Sequence, residues 1–244
     1  MKCDQNTQAE VQLTTRDMRL LELLARHGVL SFWQAQEYVF SGRDHSTVHN
    51  RLKKIESAGL IRRTRIHRVR HPWLPKETGV VFQISSRGLQ ILHRQRPETS
   101  RLDSIMTLTG RQIDHDLLTV VIAESLRKEF SGCNYVSGFH IQRLEVGEPR
   151  PDGAFAMPQS NKLIALELEL TQKSADRYRE LVASYRISRK FDRVIYFVAQ
   201  EPLGLRIAGE ITGYQVRNLN DFKDRLFDIR VLGNVLSNLE KTAS

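Results

Sequence analysis

Two glutamates, Glu167 and Glu169, lie in the apolar run IALELEL (Ile164 to Leu170), fifteen residues after Pro151-Asp152. On an extended strand alternate side chains share a face. The two carboxylates therefore point one way, and Ile164, Leu166, Leu168 and Leu170 point the other. A buried carboxylate without a partner is costly, so the pair calls for a cation. Asp152, on a neighbouring strand, adds a third oxygen donor. Hard oxygen ligands of this kind suit a hard divalent metal. The competing reading leaves Glu167 and Glu169 on a solvated strand face, paired with Lys173 or Arg177.

Around these side chains the hydrophobic pattern predicts a regular series of elements. A helix covers residues 112–130, with Ile113, Leu117, Val120 and Val121 on one side. Strands follow at 135–142, from Pro151-Asp152-Gly153 to Ala156, and at 162–170. A helix at 174–189, a strand at 193–199, a helix at 202–211 and a shorter fifth strand at 213–219 complete the sheet. Residues 220–240 read as a closing amphipathic helix with Phe222, Leu226, Ile229, Leu232 and Leu236 inward. Glu124 interrupts the apolar side of the first helix. Its expected partner is Lys128, one turn on, and the acidic strand edge is the alternative. His115 and Asp116 open the same helix, as a cap, a core hydrogen-bonding group or part of a site.

The basic charge is concentrated upstream. The chain carries a net charge of +9, and residues 43–96 hold 13 Lys/Arg against Asp44, Glu56 and Glu77. A local excess of this size is the footprint of a polyanion partner. In this segment and just before it, Thr14 and Asp17 form a capping box for a helix with Leu20, Leu23 and Leu24 inward. Ser31 caps a second helix at 32–40. A third at 45–58 buries Val48, Leu52 and Ile55 and exposes His49, Asn50, Arg51, Lys53 and Lys54. Gly59 stops it. Two strands, at 60–70 and 80–84, bracket a loop with Pro72, Trp73 and Pro75, and a helix begins at Ser85. Three helices followed by a basic hairpin have the layout of a winged helix-turn-helix. The third helix would enter the major groove of duplex DNA, and Arg62, Arg63, Arg65, Arg68 and Arg70 would grip phosphates. Trp73 stacks on a sugar or base, or packs on the fourth helix.

The C-terminal order, α-β-β-β-α-β-(α)-β, matches the restriction-endonuclease-like core, the PD-(D/E)xK fold. Pro151-Asp152 resembles its PD. Glu167-Leu168-Glu169 resembles its (D/E)xK, with a glutamate where the lysine stands. In that family the lysine orients or activates the attacking water. Here either Lys173 reaches back to that place, or Glu169 is a third metal ligand and a metal-held water attacks. The winged segment, then HDLLTVVIAESL, PDGAF and ELELTQKSADRYRELVASY, resemble the plasmid replication-relaxation family, most of all its MobC-type mobilisation relaxases. The likeness runs from about residue 13 to 200.

That resemblance implies a winged helix at 13–94, a linker at 95–110 and a catalytic mixed-sheet domain at 111–244. It implies a relaxase, or nickase, that binds an origin of transfer on double-stranded plasmid DNA and cuts one strand. It also implies an accessory mobilisation protein and conjugation coupling machinery as partners. Asp152, Glu167 and Glu169 would hold Mg²⁺ or Mn²⁺, His115 and Asp116 would lie beside them, and Lys173 would touch the scissile phosphate. Tyr178 and Tyr185 face toward that site or away from it. The alternative function is a non-catalytic DNA-binding regulator of replication or transcription with a degenerate nuclease-like domain.

Other classes fit less well. None of the eight histidines is separated from another by a single residue, so a His-x-His metal triad lacks its ligands. Cys3 and Cys133 form no CxxC pair, which argues against structural zinc or a disulfide framework. No apolar run has membrane length and MKCDQNTQAE has no signal-type apolar core, so the expectation is a cytoplasmic protein without membrane insertion.

Overall fold

A computed structural model describes residues 12–69, 72–74, 78–100, 102, 112–127, 129–141, 148–158 and 162–233. The chain divides into two units, Met1–Leu117 and Leu118–Ser244. It is mixed α/β, and among the described residues no helix is long and apolar enough to cross a membrane.

In the first unit, α1 (Thr15–His27) begins at the expected capping box. Thr14 Oγ1 accepts from Asp17 N–H, and Asp17 Oδ2 accepts from Thr14 N–H at 2.6 Å. It ends at Gly28, whose φ of 82° suits a residue without Cβ. A two-residue strand, β1 (Leu30–Ser31), leads into α2 (Phe32–Tyr38), where Ser31 and Gln34 form a second capping box. Asp44 caps α3 (His45–Ser57) by accepting from Thr47 N–H at 2.9 Å. Strands β2 (Ile61–Val69) and β3 (Thr78–Ile84) form an antiparallel hairpin. β1 joins its free edge, so the sheet order is β1-β3-β2. Helix α4 (Ser86–Gln95) follows, capped by Ser85, and a single 3₁₀ turn spans Pro97–Thr99. Leu20, Leu23 and Leu24 of α1 and Val48, Leu52 and Ile55 of α3 are all buried, as their helical spacing predicts. The expected linker falls mainly on residues outside those described.

Helix α5 (Ile113–Leu126) carries the chain from the first unit into the second. Its apolar residues are buried on all sides, which is why it shows no amphipathic stripe. Glu124 finds Arg127 at 3.1 Å; Lys128, its expected partner, lies outside the described residues. The second unit then runs β4 (Asn134–Ser137), a single turn α6 (Gly138–Ile141), β5 (Gly153–Ala156), β6 (Leu163–Glu169), α7 (Ala175–Ile187), β7 (Phe191–Val198), α8 (Glu201–Thr212) and β8 (Phe227–Val231). The sheet order is β4-β5-β6-β7-β8. β4, β5 and β6 pair antiparallel, whereas β6, β7 and β8 pair parallel. β6 is thus the central strand.

Two expectations are corrected here. The fifth strand is not at 213–219. Gly213 ends α8 in the left-handed region at φ 77°, and a turn and a 3₁₀ segment at Leu219–Asp221 follow. The strand is β8, inside the stretch expected to be helical. Phe227, Ile229 and Val231 pack on the core, while Asp228 and Arg230 alternate to the other face, bonded to Arg193 and Glu129. That period of two satisfies the β7 edge, which a helix would leave unpaired. The first strand is also shorter than 135–142. It stops at Gly138, whose N–H donates to Asp152 O at 2.8 Å. A Cβ at Gly138 would meet Pro151 O at 2.6 Å, so the backbone passes directly beside the loop that carries Asp152.

Candidate active site

The central strand positions the acids. Ala165, Glu167 and Glu169 alternate onto the sheet face covered by α7, where Ala165 packs with Tyr178, Val182, Tyr185 and Tyr196. Glu167 is 5% exposed and Glu169 2%. The face is therefore not solvated; of the two partners that reading offered, Lys173 does pair with Glu169, whereas Arg177 pairs with Glu180 on its own helix. Gly153 lies opposite Leu166, which brings Asp152 alongside Glu167 at the end of β5. Asp152 Oδ2 accepts the backbone N–H of Leu168 at 2.7 Å, so the strand itself holds this carboxylate. On the other side of β6, Tyr196 stands level with Glu167.

Lys173 reaches back from the turn before α7 and forms an ion pair with Glu169. Its backbone N–H donates to Tyr178 Oη at 3.0 Å, which fixes that turn. Tyr185, two turns further along α7, donates its hydroxyl to Glu167 Oε1. Tyr178 and Tyr185 both face the carboxylates. Asp152, Glu167, Glu169 and Lys173 are brought together; His115 and Asp116, their side chains 4.0 Å apart, stand in the first turn of α5 and belong to the first unit.

The electrostatics follow from this crowding. Burial, and then the charge of Asp152, push the Glu167 carboxyl well above the usual carboxylate range, while the Tyr185 hydrogen bond and Lys173 pull the other way. For Lys173 burial disfavours the charge, but the hydrogen bond to Glu169 and the charges of Glu169, Glu167 and Asp152 outweigh it, so its ammonium is held above the usual range. Burial and the neighbouring carboxylates raise Tyr185 and Tyr196 well above 10. Both remain neutral phenols at physiological pH.

Among the described residues no three His, Cys, Asp or Glu side chains form a ready metal cage, and Glu169 is engaged by Lys173 rather than joining a triad. The donor set left is the carboxylate pair of Asp152 and Glu167, mutually repelling and partly desolvated. Mg²⁺ is typically held by one or two carboxylates together with phosphate oxygens and waters. The pair fits that cation.

In the first unit, His49, Lys53, Lys54, Arg62, Arg63 and Arg65 are exposed. Arg51 is not the outward reader that its helical position suggested. Its Nε donates to Asp17 Oδ1 at 2.9 Å, and its guanidinium pairs with that fully buried carboxylate. Burial works against the Asp17 charge, but the hydrogen bonds from Arg51 and Thr14 lower its pKa overall. Of the side chains of Arg68 and Arg70 nothing is described. Tyr196 was missed from the sequence: Val194, Tyr196 and Val198 alternate toward one face, but only the register with β6 sets the ring beside Glu167.

No protein-family model matches the chain, and no curated protein matches it. Among solved structures, restriction endonuclease FokI is similar at a TM-score of 0.30 and 13% identity, over 96% of this chain. The chain spans 46% of that endonuclease, and a likeness of this size defines no common fold.

Proposed function

We propose that the chain is a metal-dependent DNA endonuclease of the nickase type, joining a winged-helix DNA-binding unit to a PD-(D/E)xK-like catalytic unit. The observation that carries the proposal is the meeting of Asp152, at the end of β5, and Lys173, in the turn before α7, with Glu167 and Glu169 on the buried face of the central strand. A lysine paired with the third position of the E-x-E run supports Lys173 as the displaced family lysine. It weighs against a degenerate, non-catalytic core. The strand order, with only β5 antiparallel to the other four strands, supports the nuclease-like assignment. The order α1-β1-α2-α3-β2-β3 with sheet order β1-β3-β2 supports the winged helix.

Asp152 and Glu167 would hold Mg²⁺ or Mn²⁺. When bound there, the cation supplies Lewis-acid polarisation of the phosphodiester and neutralises developing charge. Glu169 anchors Lys173, whose side chain is 43% exposed, so that its ammonium presents positive charge to an incoming phosphate. Tyr178 holds the Lys173 backbone in place. The exposed wing residues Arg62, Arg63 and Arg65 bind phosphates, and His49, Lys53 and Lys54 on α3 face the groove. The setting in plasmid mobilisation, with an origin of transfer, an accessory mobilisation protein and conjugation machinery, rests on the motif resemblance alone, as does a part for His115 and Asp116.

The test is nicking of supercoiled plasmid with Mn²⁺. The wild-type chain relaxes the plasmid, and Asp152→Asn, which keeps an oxygen for Leu168 N–H, does not, while both bind duplex DNA equally. Nicking that survives a chelator, or is unimpaired in Asp152→Asn, overturns the proposal.

A further inference from the structure

Three tyrosines wall the carboxylates, and chemistry at a cation needs none of their hydroxyls. Tyr185 is the one tied to a ligand-bearing side chain. Its hydroxyl donates to Glu167 Oε1, and both residues are buried. The ring is held edge-on by Phe191, at 5.1 Å and 78°, and by Phe227, at 6.3 Å and 86°. The hydroxyl therefore has a fixed aim. Glu167 has a flexible side chain, with a terminal torsion that is broad and roughly two-fold. A donor with a fixed aim is what selects one orientation of its carboxylate.

We propose that Tyr185 is a positioning residue for the cation site: by engaging one oxygen of Glu167 it turns the other toward Asp152. The inference rests on the reading that Asp152 and Glu167 hold the cation. Partners that orient a ligating carboxylate typically contribute about 10- to 100-fold in metal affinity. Tyr185 is a residue of this kind, acting through Glu167.

The experiment is a Mn²⁺ titration of the full chain, following free Mn²⁺ by electron paramagnetic resonance, with thermal unfolding measured alongside. Tyr185→Phe keeps the ring and removes the donor. It is expected to weaken Mn²⁺ binding about 10-fold, and to change nothing further in a Glu167→Gln background, since both act through one group. A fluorinated tyrosine at position 185 keeps the fold and makes the hydroxyl a stronger donor, so it shifts Mn²⁺ affinity even if the phenylalanine variant folds poorly. Mn²⁺ affinity unchanged within twofold in both variants, with only the melting temperature lowered, makes Tyr185 a packing residue and overturns the proposal. Failure of the underlying reading looks different: the wild-type chain then binds no Mn²⁺ that Glu167→Gln removes, and both ideas fall together.

Discussion

Replacing Glu167 by glutamine should stabilise the metal-free protein while abolishing nicking. Glu167 is buried beside Asp152, and the two carboxylates repel. At an effective dielectric of about 20, unit charges about 5 Å apart interact by about 3 kcal/mol. Part of this is offset by Lys173 and by the hydrogen bond from Tyr185. A glutamine oxygen still accepts from Tyr185, although a neutral acceptor is weaker than a charged one by about 1 kcal/mol. The net gain is about 1–2 kcal/mol, which for a chain of this size raises the melting temperature by roughly 2–8 °C.

The pH dependence fixes the sign. The folded carboxyl titrates above its unfolded value of 4.5. Below that value both states are protonated and the repulsion is absent. As pH rises through the window above 4.5, the unfolded chain releases its proton first, and folding stability falls until the folded carboxyl also ionises. Differential scanning calorimetry in chelator at pH 4 and pH 8 reads this directly. The two proteins should melt together at pH 4, and the glutamine variant should melt higher at pH 8. Mn²⁺ at pH 8 should then raise the wild-type midpoint and leave the variant unmoved. A glutamine variant less stable than wild type at pH 8, or a difference independent of pH, refutes the reasoning.

Three further outcomes are expected. Arg51→Ala leaves the buried Asp17 carboxylate with the Thr14 hydrogen bonds but no counter-ion and should cost about 3 kcal/mol of stability, read as a lowered denaturant midpoint, rather than selectively weakening binding to one DNA sequence. Neutralising Arg62, Arg63 and Arg65 together should weaken binding to every duplex and reduce the magnitude of the slope of log K against log salt by about 2.7. Binding assays from low to moderate salt measure it, and an unchanged slope places the wing off the DNA. Gly138→Ala puts a methyl group within 2.6 Å of Pro151 O, so it should displace the Asp152 loop and cut nicking about 100-fold or more, with duplex binding retained.

Much of the candidate site was legible because its central piece is local. A period of two with acids at alternate positions marks β6, and Lys173 lies within four residues of Glu169, so one turn brings them together. The capping box at Thr14 and the cap at Ser31 were equally local, since each acts on a residue three positions on. Contacts set by register or by distant partners were not legible. Arg51 reads as exposed from helical spacing alone, but its fate is decided by Asp17 on another helix. The stretch from Phe222 to Leu236 carries Leu226, Ile229, Leu232 and Leu236 at spacings that fit a helical wheel. The alternation from Phe227 to Val231 was also present in the sequence, but an unpaired edge on β7 was needed to decide between them. Tyr196 likewise acquires meaning only when β7 lies in register beside β6.

The central strand also orders events in time. Asp152 comes from the antiparallel half of the sheet and Tyr196 from the parallel half, and β6 joins the two. During synthesis Glu167 emerges before β7 exists, so its carboxylate begins wet, unfenced by aromatic rings. Only when the crossover through α7 closes, a non-local and therefore slow pairing, do the acids lose water and crowd one another. A half-made chain thus carries the acids without their crowding. On the function proposed above, the site for a divalent ion would be completed last, after the unit proposed to dock on DNA has already been made.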